Sequence, residues 1–381
     1  MKNIWLLSLE RVPTRYTWEW GTFIPEEIRR QAESRGLTVA GFTYEEYVAA
    51  RNQYTLEDEP EVCVVDVTGE LPTQTASTGG FLNWATTNIW KSSQLKKVAE
   101  LFNNGHVKNG DIFYVTDAWN PGILQIKYMS ELMDIDVKIM AQWHAGAHDP
   151  WDFLGRKIKD KTWVFELERA LFHAIDYNLF TTNAYIEMFG CNLGINMETP
   201  RVVRTGYPNG YLLESLPKYK IGTRDNNILF PHRIAPEKQL DIFLDLAKEL
   251  PQYNWIVCQD RQLSKEEYHT LLGNSKLVFS AALQETFGIA QTEAILAGAI
   301  SLSPDRLSYS EMYYGDFLYP SEWTWDMGSY LKHKEYMMGV IVHLMESFET
   351  PLMQELIAHQ EQNLLDNDYI GGKKIWQLLL D

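Results

Sequence analysis

The chain has 381 residues, of which 45% are hydrophobic, 13% aromatic and 22% charged, and this composition excludes general intrinsic disorder. Its formal net charge of −17 argues against indiscriminate polyanion binding, although a local basic groove stays compatible with it. No membrane span is expected, because no run of about 18 apolar residues occurs. The three cysteines are too few and too far apart for a disulfide framework and favour a reducing cytoplasm.

Short β-branched and aromatic runs alternate with helical patterns along most of the chain. Strands are predicted at Ile4–Leu9, Glu61–Val67, Asp111–Thr116, Val137–Trp143, Tyr177–Thr182, Arg201–Thr205, Asn227–Phe230, Trp255–Gln259, Leu277–Ala281, Ile300–Ser303 and Phe317–Tyr319. Helices are predicted at Pro25–Ser34, Ser92–Asn103, Leu124–Met133, Val164–Ala174, Lys238–Leu250 and Ile289–Gly298. Buried strands separated by helices indicate an α/β fold with parallel sheets. So many strands favour two doubly wound domains over one sheet.

Gly and Pro residues crowd between Thr205 and Arg224, so the domain boundary is placed there. We expect an N-terminal Rossmann-like domain over residues 1–205 and a second over residues 206–350. A helical segment over residues 351–381 is expected to pack back on the first domain. Ligands of such sheets bind at the carboxyl ends of the strands, so a cleft between the domains is the expected site. The Thr/Gly stretch Thr73–Gly80 is predicted to be a mobile loop.

The most informative segment runs from Leu277 to Ala299. A buried strand ends near Ala282, and a helix is predicted to begin at about Phe287 or Gly288. Glu285 lies in the turn and Glu293 follows eight residues later, so both carboxylates can approach one ligand near the helix start. Unpaired backbone N–H groups there favour a phosphate, and carboxylates accept hydrogen bonds from sugar hydroxyls. The alternative is a solvated loop glutamate and a surface helix glutamate.

The Glu-x7-Glu pair, in the form ETFG…TEA…AG, resembles the donor-binding signature of retaining glycosyltransferases of the GT-B fold, particularly family 4. Upstream, Arg233 and Lys238 lie in PHRIAPEK, where a strand runs into a helix. In the resembled enzymes the matching Arg and Lys hold the donor diphosphate and neutralise the leaving group without a metal. By itself, either residue could be an ordinary surface cation.

This resemblance implies roles for the remaining residues of the signature. Glu285 would contact the transferred sugar and Glu293 the ribose, while Gly288 and Ile289 would offer backbone amides to the diphosphate. Arg233, Lys238, Glu285 and His144 are the expected catalytic residues. The implied fold is GT-B, with two Rossmann-like domains facing a central cleft, and the implied donor is a nucleotide diphosphate sugar, with no metal or other cofactor. A nucleotide-sugar epimerase and a non-catalytic binding protein are the competing readings.

The segment after the first strand departs from the common family 4 pattern, since no glycine occurs between Ser8 and Gly21. No residue of the first domain is therefore assigned to binding the donor phosphates. Arg11, Arg15, Tyr16 and Trp18 are instead expected on the acceptor side, because an arginine and aromatic cluster suits a planar ring or a phosphate. The alternative is that the aromatic residues are loop anchors and that Arg15 pairs with Glu19.

The same segment, with Asp117–Gly122, Ile126–Leu132 and Trp143–Gly146, looks like a group of bacteriophage glycosyltransferases that modify hydroxymethylated DNA bases. The resemblance implies a nucleobase hydroxyl as acceptor, double-stranded DNA as partner and the host cytoplasm as location. A basic track is then needed, for which the candidates are Lys91, Lys96, Lys97, Lys108, Arg156, Lys157, Lys159 and Lys161. A glycan, a lipid or a small molecule is the alternative acceptor.

His144-Ala145-Gly146-Ala147-His148-Asp149 follows a predicted strand at the edge where the cleft should lie. In the resembled family a histidine here touches the donor sugar or the acceptor, and we assign that contact to His144. A structural or capping role and a metal site are the alternatives. Asp117 and Asp149 are expected to contact the acceptor hydroxyl, although Asp149 could equally cap the stretch that begins at Trp151.

Overall fold

The structure, a computed structural model, describes residues 1–12, 15–53, 59–70 and 83–381. The predicted loop Thr73–Gly80 lies outside the described residues. The described chain forms two compact units. Unit 1 contains Met1–Thr181, Ile186–Pro208 and Lys373–Asp381, and unit 2 contains Thr182–Tyr185 and Asn209–Gly372. No helix in the described part of the chain is long and apolar enough to cross a membrane.

Unit 1 is built on a seven-stranded sheet whose neighbouring strands are all parallel in the described residues. Its strands are β1 Lys2–Leu7, β2 Val39–Thr43, β3 Val62–Asp66, β4 Ile112–Val115, β5 Lys138–Gln142, β6 Tyr177–Phe180 and β7 Val202–Arg204. They lie in the order β2-β3-β1-β4-β5-β6-β7. The helices are α1 Tyr16–Ser34, α2 Tyr44–Gln53, α3 Trp84–Asn103, α4 Gly122–Leu132, α5 Phe153–Lys157, α6 Lys161–Ala174 and α7 Asn183–Leu193.

The six strands predicted for the first half are confirmed, and β2 is the strand that the sequence analysis missed. Central β1 is buried on both faces, with Ile4 paired to Val64 on one side and to Ile112 on the other. β2 is an edge strand of partly buried and exposed residues that contains Gly41, so it lacks the continuous apolar run of its neighbours.

The predicted start of the first helix at Pro25 is wrong, because α1 begins at Tyr16 and carries Pro25 in its interior. Proline favours the first turn of a helix, so its interior position here is the less usual one. An interior proline loses the bond to the carbonyl four residues earlier, which here belongs to Gly21. The earlier start places Tyr16 and Trp18 on a helix instead of in a loop.

Unit 2 contains a five-stranded sheet whose described neighbours are also parallel. Its strands are β8 Asp225–Phe230, β9 Asn254–Val257, β10 Ser275–Phe279, β11 Ile300–Pro304 and β12 Leu318–Tyr319, in the order β12-β11-β10-β8-β9. All five were predicted. The helices are α8 Tyr211–Ser215, α9 Leu240–Glu249, α10 Lys265–Gly273, α11 Ile289–Leu296, α12 Tyr309–Met312, α13 Met327–Ser347 and α14 Pro351–Asp366.

The C-terminal segment divides between the two units. α14 belongs to unit 2, and only residues Lys373–Asp381, with helix α15 Lys373–Leu380, cluster with unit 1. In unit 1 the Trp376 ring packs edge-on against Phe23 of α1, 6.4 Å between centroids. The segment that joins unit 1 is therefore shorter than the predicted 351–381, because the apolar residues of α14 are part of the unit 2 core.

Candidate active site

The strand order of unit 2 fixes where a ligand site is expected. β8 lies between β9 and β10, so the chain leaves β8 on one side and later returns on the other. Open parallel sheets bind ligands beyond the carboxyl ends of the strands at this reversal point. The segments that emerge there are residues 231–239 after β8 and residues 280–288 after β10. Between them they carry Arg233, Lys238, Glu285 and Gly288.

Lys238 and Glu285 meet at this edge of the sheet. Lys238 Nζ lies 2.9 Å from Glu285 Oε2 and also donates a hydrogen bond to the backbone carbonyl of Gln284. The Lys238 side chain is 6% exposed and that of Glu285 is 20% exposed. A ligand at this point meets an ammonium and a carboxylate together, so one can take a phosphate oxygen and the other a hydroxyl donor.

The helix predicted to start at Lys238 is interrupted there. Pro236–Lys238 forms one 3-10 turn, Gln239 has a φ of +53°, and α9 begins at Leu240. The Gln239 side-chain amide donates to the carbonyls of Ala281 and Thr324, both at 2.6 Å. These bonds hold Lys238 in a turn beside the segment that follows β10, instead of on the exposed surface of a helix.

Arg233 forms a separate ion pair. Its Nη2 lies 2.5 Å from Oε1 of Glu237, whose side chain is fully buried, while the Arg233 side chain is 29% exposed. The Glu237 carbonyl accepts a hydrogen bond from the Leu283 amide at 2.8 Å, which ties the two segments together. The structure thus joins Lys238 to Glu285 and Arg233 to Glu237. Sequence reasoning missed Glu237, although its position four residues after an arginine was a usable signal.

Arg306 fixes the segment after β10 through hydrogen bonds to its backbone carbonyls. Its guanidinium donates to the carbonyls of Ala281 and Ala282, each at 2.9 Å, and to Ser321 and Thr324. Burial lowers the pKa of Arg306, yet these carbonyl acceptors satisfy its donors. This residue was not singled out from the sequence, because it lies outside the resembled motif.

Gly288 ends the segment and precedes α11, so the predicted helix start is confirmed. Its φ is +86°, and a Cβ there would come within 2.8 Å of both Tyr309 Cε1 and Tyr313 Oη. Only glycine adopts this conformation without strain. No side chain in the described residues caps the helix, so the backbone N–H groups of its first turn, beginning with Ile289, are available to an anion.

Glu293 lies in the second turn of α11, as predicted. Its side chain is 11% exposed, and its described contacts are with α10. Oε1 lies 3.7 Å from His269 Nε2, and the carboxylate also interacts with the Tyr268 hydroxyl. The two glutamates of the Glu-x7-Glu pair are therefore held by different elements, Glu285 by Lys238 and Glu293 by α10.

His232, next to Arg233, was also missed. Its Nε2 lies 2.9 Å from Ser280 Oγ and 3.1 Å from Gln291 Nε2, so the ring bridges both segments and α11. Burial, reinforced by the charges of Lys238 and Arg233, lowers the pKa of His232 well below its usual value. The ring is therefore neutral and accepts hydrogen bonds at Nε2.

In unit 1, His144 follows β5 at the carboxyl edge of the sheet, as predicted. Its Nε2 lies 2.6 Å from the Thr116 carbonyl, which can only accept, so Nε2 carries a proton. Its Nδ1 lies 2.7 Å from the Tyr207 hydroxyl and 3.1 Å from the Tyr16 hydroxyl. Burial lowers the pKa of His144, so the ring is neutral and Nδ1 accepts. Both ring nitrogens are thus engaged within unit 1.

We call Tyr16, Trp20, His144 and Tyr207 the aromatic cluster. Tyr16 and Trp20 pack edge-on at 4.9 Å between centroids, and Trp20 and Tyr207 do so at 5.3 Å. Trp20 and Tyr207 are buried, and neither was named from the sequence. Trp18, which was named, is 49% exposed. The structure therefore brings Tyr16 and His144 together, with two unforeseen aromatic partners, and leaves Trp18 facing solvent.

The predicted acceptor arginines lie in the segment that leads into α1. Arg11 forms an ion pair with Asp66, at the end of β3, and crosses α1 at Gly21. Burial raises the pKa of Asp66, and the Arg11 charge opposes that rise. Arg15 is the residue before α1, and its charge adds to the effect of burial in lowering the pKa of His144.

Asp117 is held in a nearly buried ion pair, with its Oδ2 at 2.7 Å from Lys91 Nζ. Burial raises the pKa of Asp117, but the Lys91 ammonium, followed by His144, outweighs it and leaves the pKa lowered. Lys91 also donates to the Trp119 carbonyl at 2.7 Å. Lys91 was a candidate for a basic track, but its charge is neutralised inside unit 1.

Asp149 is buried, and its Oδ1 accepts a hydrogen bond from the Trp151 amide at 2.9 Å. This contact lies in a turn before α5, whose N-cap is Asp152, so the alternative in which Asp149 caps a stretch that begins at Trp151 is replaced by a turn contact. Beside it, buried Glu168 accepts from the Ala147 amide at 2.6 Å and from His148 Nδ1 at 3.2 Å. A Cβ on Gly146 would clash with this carboxylate, so Glu168 organises the loop that carries His144.

Metal ligation finds no support in the part of the chain that the structure describes, where no group of three His, Cys, Asp or Glu side chains is placed to hold an ion. His148, which the metal reading would use, is instead paired with Glu168. These residues offer charges and hydrogen bonds: two cations, three carboxylates and a helix start in unit 2, and a neutral aromatic cluster in unit 1.

Comparison with family models and with curated protein sequences finds no match. Solved structures do match. A glycosyltransferase from Rickettsia africae superposes with a TM-score of 0.58 at 11% identity, covering 100% of this chain and 99% of that one. Sucrose-phosphate synthase from Thermosynechococcus elongatus gives 0.56 at 12% identity, covering 99% of both.

A third match, to a GtfA/B complex, has a TM-score of 0.50 at 14% identity and covers 76% of this chain. This chain spans only 60% of the length of that protein. At such identities the likeness concerns the fold, and the predicted fold class, α/β of the GT-B type with two parallel sheets, is confirmed.

Proposed function

We propose that this protein is a retaining glycosyltransferase that moves a sugar from a nucleotide diphosphate sugar to an acceptor hydroxyl. One observation carries the proposal: the Lys238 ammonium and the Glu285 carboxylate lie 2.9 Å apart at the reversal point of a GT-B sheet, directly before the uncapped start of α11. A donor of this class presents a diphosphate and sugar hydroxyls together, which are the groups that such a site complements.

In the proposed reaction the bond between the anomeric carbon and the diphosphate oxygen breaks. The acceptor oxygen attacks the anomeric carbon from the face that the diphosphate leaves, and the acceptor proton passes to the departing phosphate oxygen. The transition state resembles an oxocarbenium ion, so catalysis consists of positioning and of stabilising the departing charge. No side-chain nucleophile and no metal is needed.

The unit 2 residues would share this work. Arg233 and Lys238 stabilise the diphosphate, together with the backbone amides of Gly288 and Ile289. Glu285 accepts hydrogen bonds from the transferred sugar, and Glu293 accepts them from the ribose. Binding of a diphosphate would draw Lys238 from Glu285, so the carboxylate that neutralises the cation in the free enzyme becomes available to the sugar.

Unit 1 would supply the acceptor contacts. His144 is neutral and fixed by Thr116 and Tyr207, so its proposed contribution is to present an uncharged face beside Tyr16. Arg11, Arg15 and Trp18 complete the proposed acceptor contacts, and Asp117 and Asp149 would act indirectly by shaping the acceptor loops. Trp18 is exposed and can reach a substrate ring without rearrangement, whereas Asp149 is buried and Asp117 is paired with Lys91.

The acceptor that we propose is a hydroxymethylated pyrimidine base in double-stranded bacteriophage DNA, modified in the cytoplasm of the host cell. The residues that support it are basic and aromatic: Arg156, Lys157 and Lys159 are exposed, and Trp151 and Trp163, near them in the sequence, are 48% and 50% exposed. Cations that contact phosphates and indoles that stack on bases are the usual elements of nucleic-acid binding. The net charge of −17 confines such binding to a local surface.

The test is to incubate the protein with UDP-, GDP-, ADP- and dTDP-sugars and to measure nucleotide release with and without hydroxymethylated DNA. Unmodified DNA of the same sequence is the matched control. Release that depends on the hydroxymethyl groups supports the full proposal. Release that needs a glycan, lipid or small molecule replaces the acceptor, and interconversion of the donor alone indicates an epimerase. A protein that binds donor without turnover would overturn the proposed activity.

A further inference from the structure

The surroundings of Glu293 contain polar groups that the proposed reaction does not use. Glu293 is the fifth residue of α11, and α10 packs alongside with Tyr268 and His269 facing it. The Tyr268 hydroxyl interacts with the carboxylate, and burial followed by the charge of Glu293 raises the pKa of Tyr268 well above its usual value. Tyr268 is therefore protonated and acts as a hydrogen-bond donor toward Glu293.

His269 has a less usual position. Its ring is buried and packs against Tyr219, 5.5 Å between centroids, and its Nε2 lies 3.7 Å from Glu293 Oε1. That distance exceeds a hydrogen bond, and Nε2 has no hydrogen-bond partner among the residues that the structure describes. Buried polar atoms are nearly always paired, so an unpaired one beside a candidate ligand residue calls for a functional explanation.

We propose that Tyr268 and His269 are positioning residues that hold Glu293 for the two hydroxyls of a ribose, and that they make the donor site selective for ribonucleotides over 2′-deoxyribonucleotides. The inference rests on the proposed function, in which Glu293 contacts the donor ribose. With α10 fixing its plane, the carboxylate meets a cis-diol with one oxygen for each hydroxyl. A small shift of the carboxylate on binding would also bring Oε1 within hydrogen-bond distance of His269 Nε2.

A carboxylate held in one orientation discriminates better than a mobile one. Loss of a single hydroxyl from the ligand leaves one carboxylate oxygen desolvated and unpaired, provided that the carboxylate cannot turn away. We expect the wild-type protein to bind a nucleoside diphosphate roughly tenfold to a hundredfold more tightly than its 2′-deoxy form. Without Tyr268 and His269, Glu293 can rotate toward the remaining hydroxyl and the preference falls.

The experiment measures dissociation constants by calorimetry for UDP, GDP and ADP and for their 2′-deoxy forms, using the full chain. The variants are Tyr268→Phe, His269→Leu and the conservative His269→Gln. Tyr219→Phe is the matched control, since it keeps the ring that packs on His269 and has no described contact with the Glu293 carboxylate. Thermal unfolding of every variant checks that the fold is retained.

We expect the ribo-to-deoxy ratio to fall at least about fivefold in Tyr268→Phe and His269→Leu, to recover in His269→Gln, and to stay unchanged in Tyr219→Phe. A purely structural role would weaken both ligands equally, and an unchanged ratio with weaker binding overturns the inference. A wild type that binds ribo and deoxy forms equally also overturns it, while leaving the proposed function intact. If the wild type binds none of these nucleotides, the proposed function fails first.

Discussion

The aromatic cluster of unit 1 and the Lys238–Glu285 pair of unit 2 both follow the carboxyl ends of parallel strands, yet they differ in charge. The cluster is neutral: His144 accepts from tyrosine hydroxyls and donates to a carbonyl. The pair is ionic and lies next to a second ion pair, Arg233 with Glu237. Fixed charges suit a leaving group that gains negative charge, and an uncharged aromatic surface suits a neutral acceptor ring.

Two charged pairs of the predicted acceptor residues are internal to unit 1. Lys91 is committed to Asp117 and Arg11 to Asp66. In unit 2 the carboxylate partner of Lys238 is the more exposed of the two, so a ligand can take its place. The comparison teaches that the exposure of the paired carboxylate differs between the two regions: the Glu285 side chain is 20% exposed, against 14% for Asp117 and 11% for Asp66. Four predictions test this contrast, and they run from the largest expected effect to the smallest.

Lys238→Ala should have the largest effect. Removing a cation that stabilises the departing diphosphate is expected to lower turnover by about 10²- to 10³-fold with the fold retained. Nucleotide release from the active donor is the measurement, and thermal unfolding reports the fold. Lys334→Ala is the matched control, because Lys334 is likewise a lysine held in ion pairs, with Asp245 and Glu249, but lies outside the proposed site. Undiminished transfer in Lys238→Ala contradicts the assigned role.

Glu285→Gln should separate binding from transfer. The amide keeps the size of the side chain but no longer neutralises Lys238, so affinity for the nucleoside diphosphate should hold or rise. The transferred sugar loses a charged acceptor, and kcat should fall about tenfold to a hundredfold. Calorimetry and initial rates measure the two quantities. A loss of affinity equal to the loss in kcat would indicate that Glu285 orders Lys238 and does not contact the sugar.

Tyr207→Phe should change the pH dependence of turnover more than it changes kcat at neutral pH. The Tyr207 hydroxyl donates to His144 Nδ1 only while the ring is neutral, so its loss raises the pKa of His144. The acid limb of the pH–rate profile should move to higher pH, with a drop in kcat at neutral pH of only a few-fold. Tyr128→Phe is the control, because it removes the same hydroxyl from an exposed tyrosine of unit 1.

His232→Gln should give the smallest effect, seen in stability. The pKa of His232 is lowered by burial, so between its folded value and the unfolded value near 6.5 the unfolded chain binds more protons. Its contribution to stability is present above that range and is lost as the pH falls. The free energy of unfolding should therefore depend on pH less steeply in the variant, by up to about 1.4 kcal/mol per pH unit. Urea unfolding between pH 7.5 and 5.5 measures this, and equal slopes would contradict it.

The sequence was sufficient for eleven of the twelve strands in the described residues and for the spacing of the local motif of unit 2. Apolar runs such as Ile4–Leu9 indicate directly that a strand is buried on both faces. Arg233 and Lys238 lie in one short segment, and Glu285 and Glu293 lie in another, so their spacing can be read from the sequence. The start of α11 at Ile289 followed from the same segment. Strand β2 was not predicted, because an edge strand buries only part of its side chains and its hydrophobic pattern is therefore weak.

Partners distant in sequence were beyond such reasoning. Tyr207 meets His144 across 63 residues, and Arg306 reaches Ala282 across 24 residues. These contacts depend on strand order, and the sequence does not state strand order. Glu168 is another example, since a glutamate within an amphipathic helix is ordinarily a surface residue, whereas here it is buried beneath the loop of His144.

The return of Lys373–Asp381 to unit 1 has a consequence for how the protein is made. Trp376 packs against Phe23 of α1, and Lys2 Nζ donates to the Leu379 carbonyl at 3.3 Å, so residues separated in the chain by the whole of unit 2 meet within unit 1. On the ribosome, unit 2 has all of its own residues before unit 1 does. A fragment that stops at Pro208 would expose the apolar surface that α15 covers, so unit 1 is best expressed alone with residues 373–381 fused ahead of Met1 by a short linker.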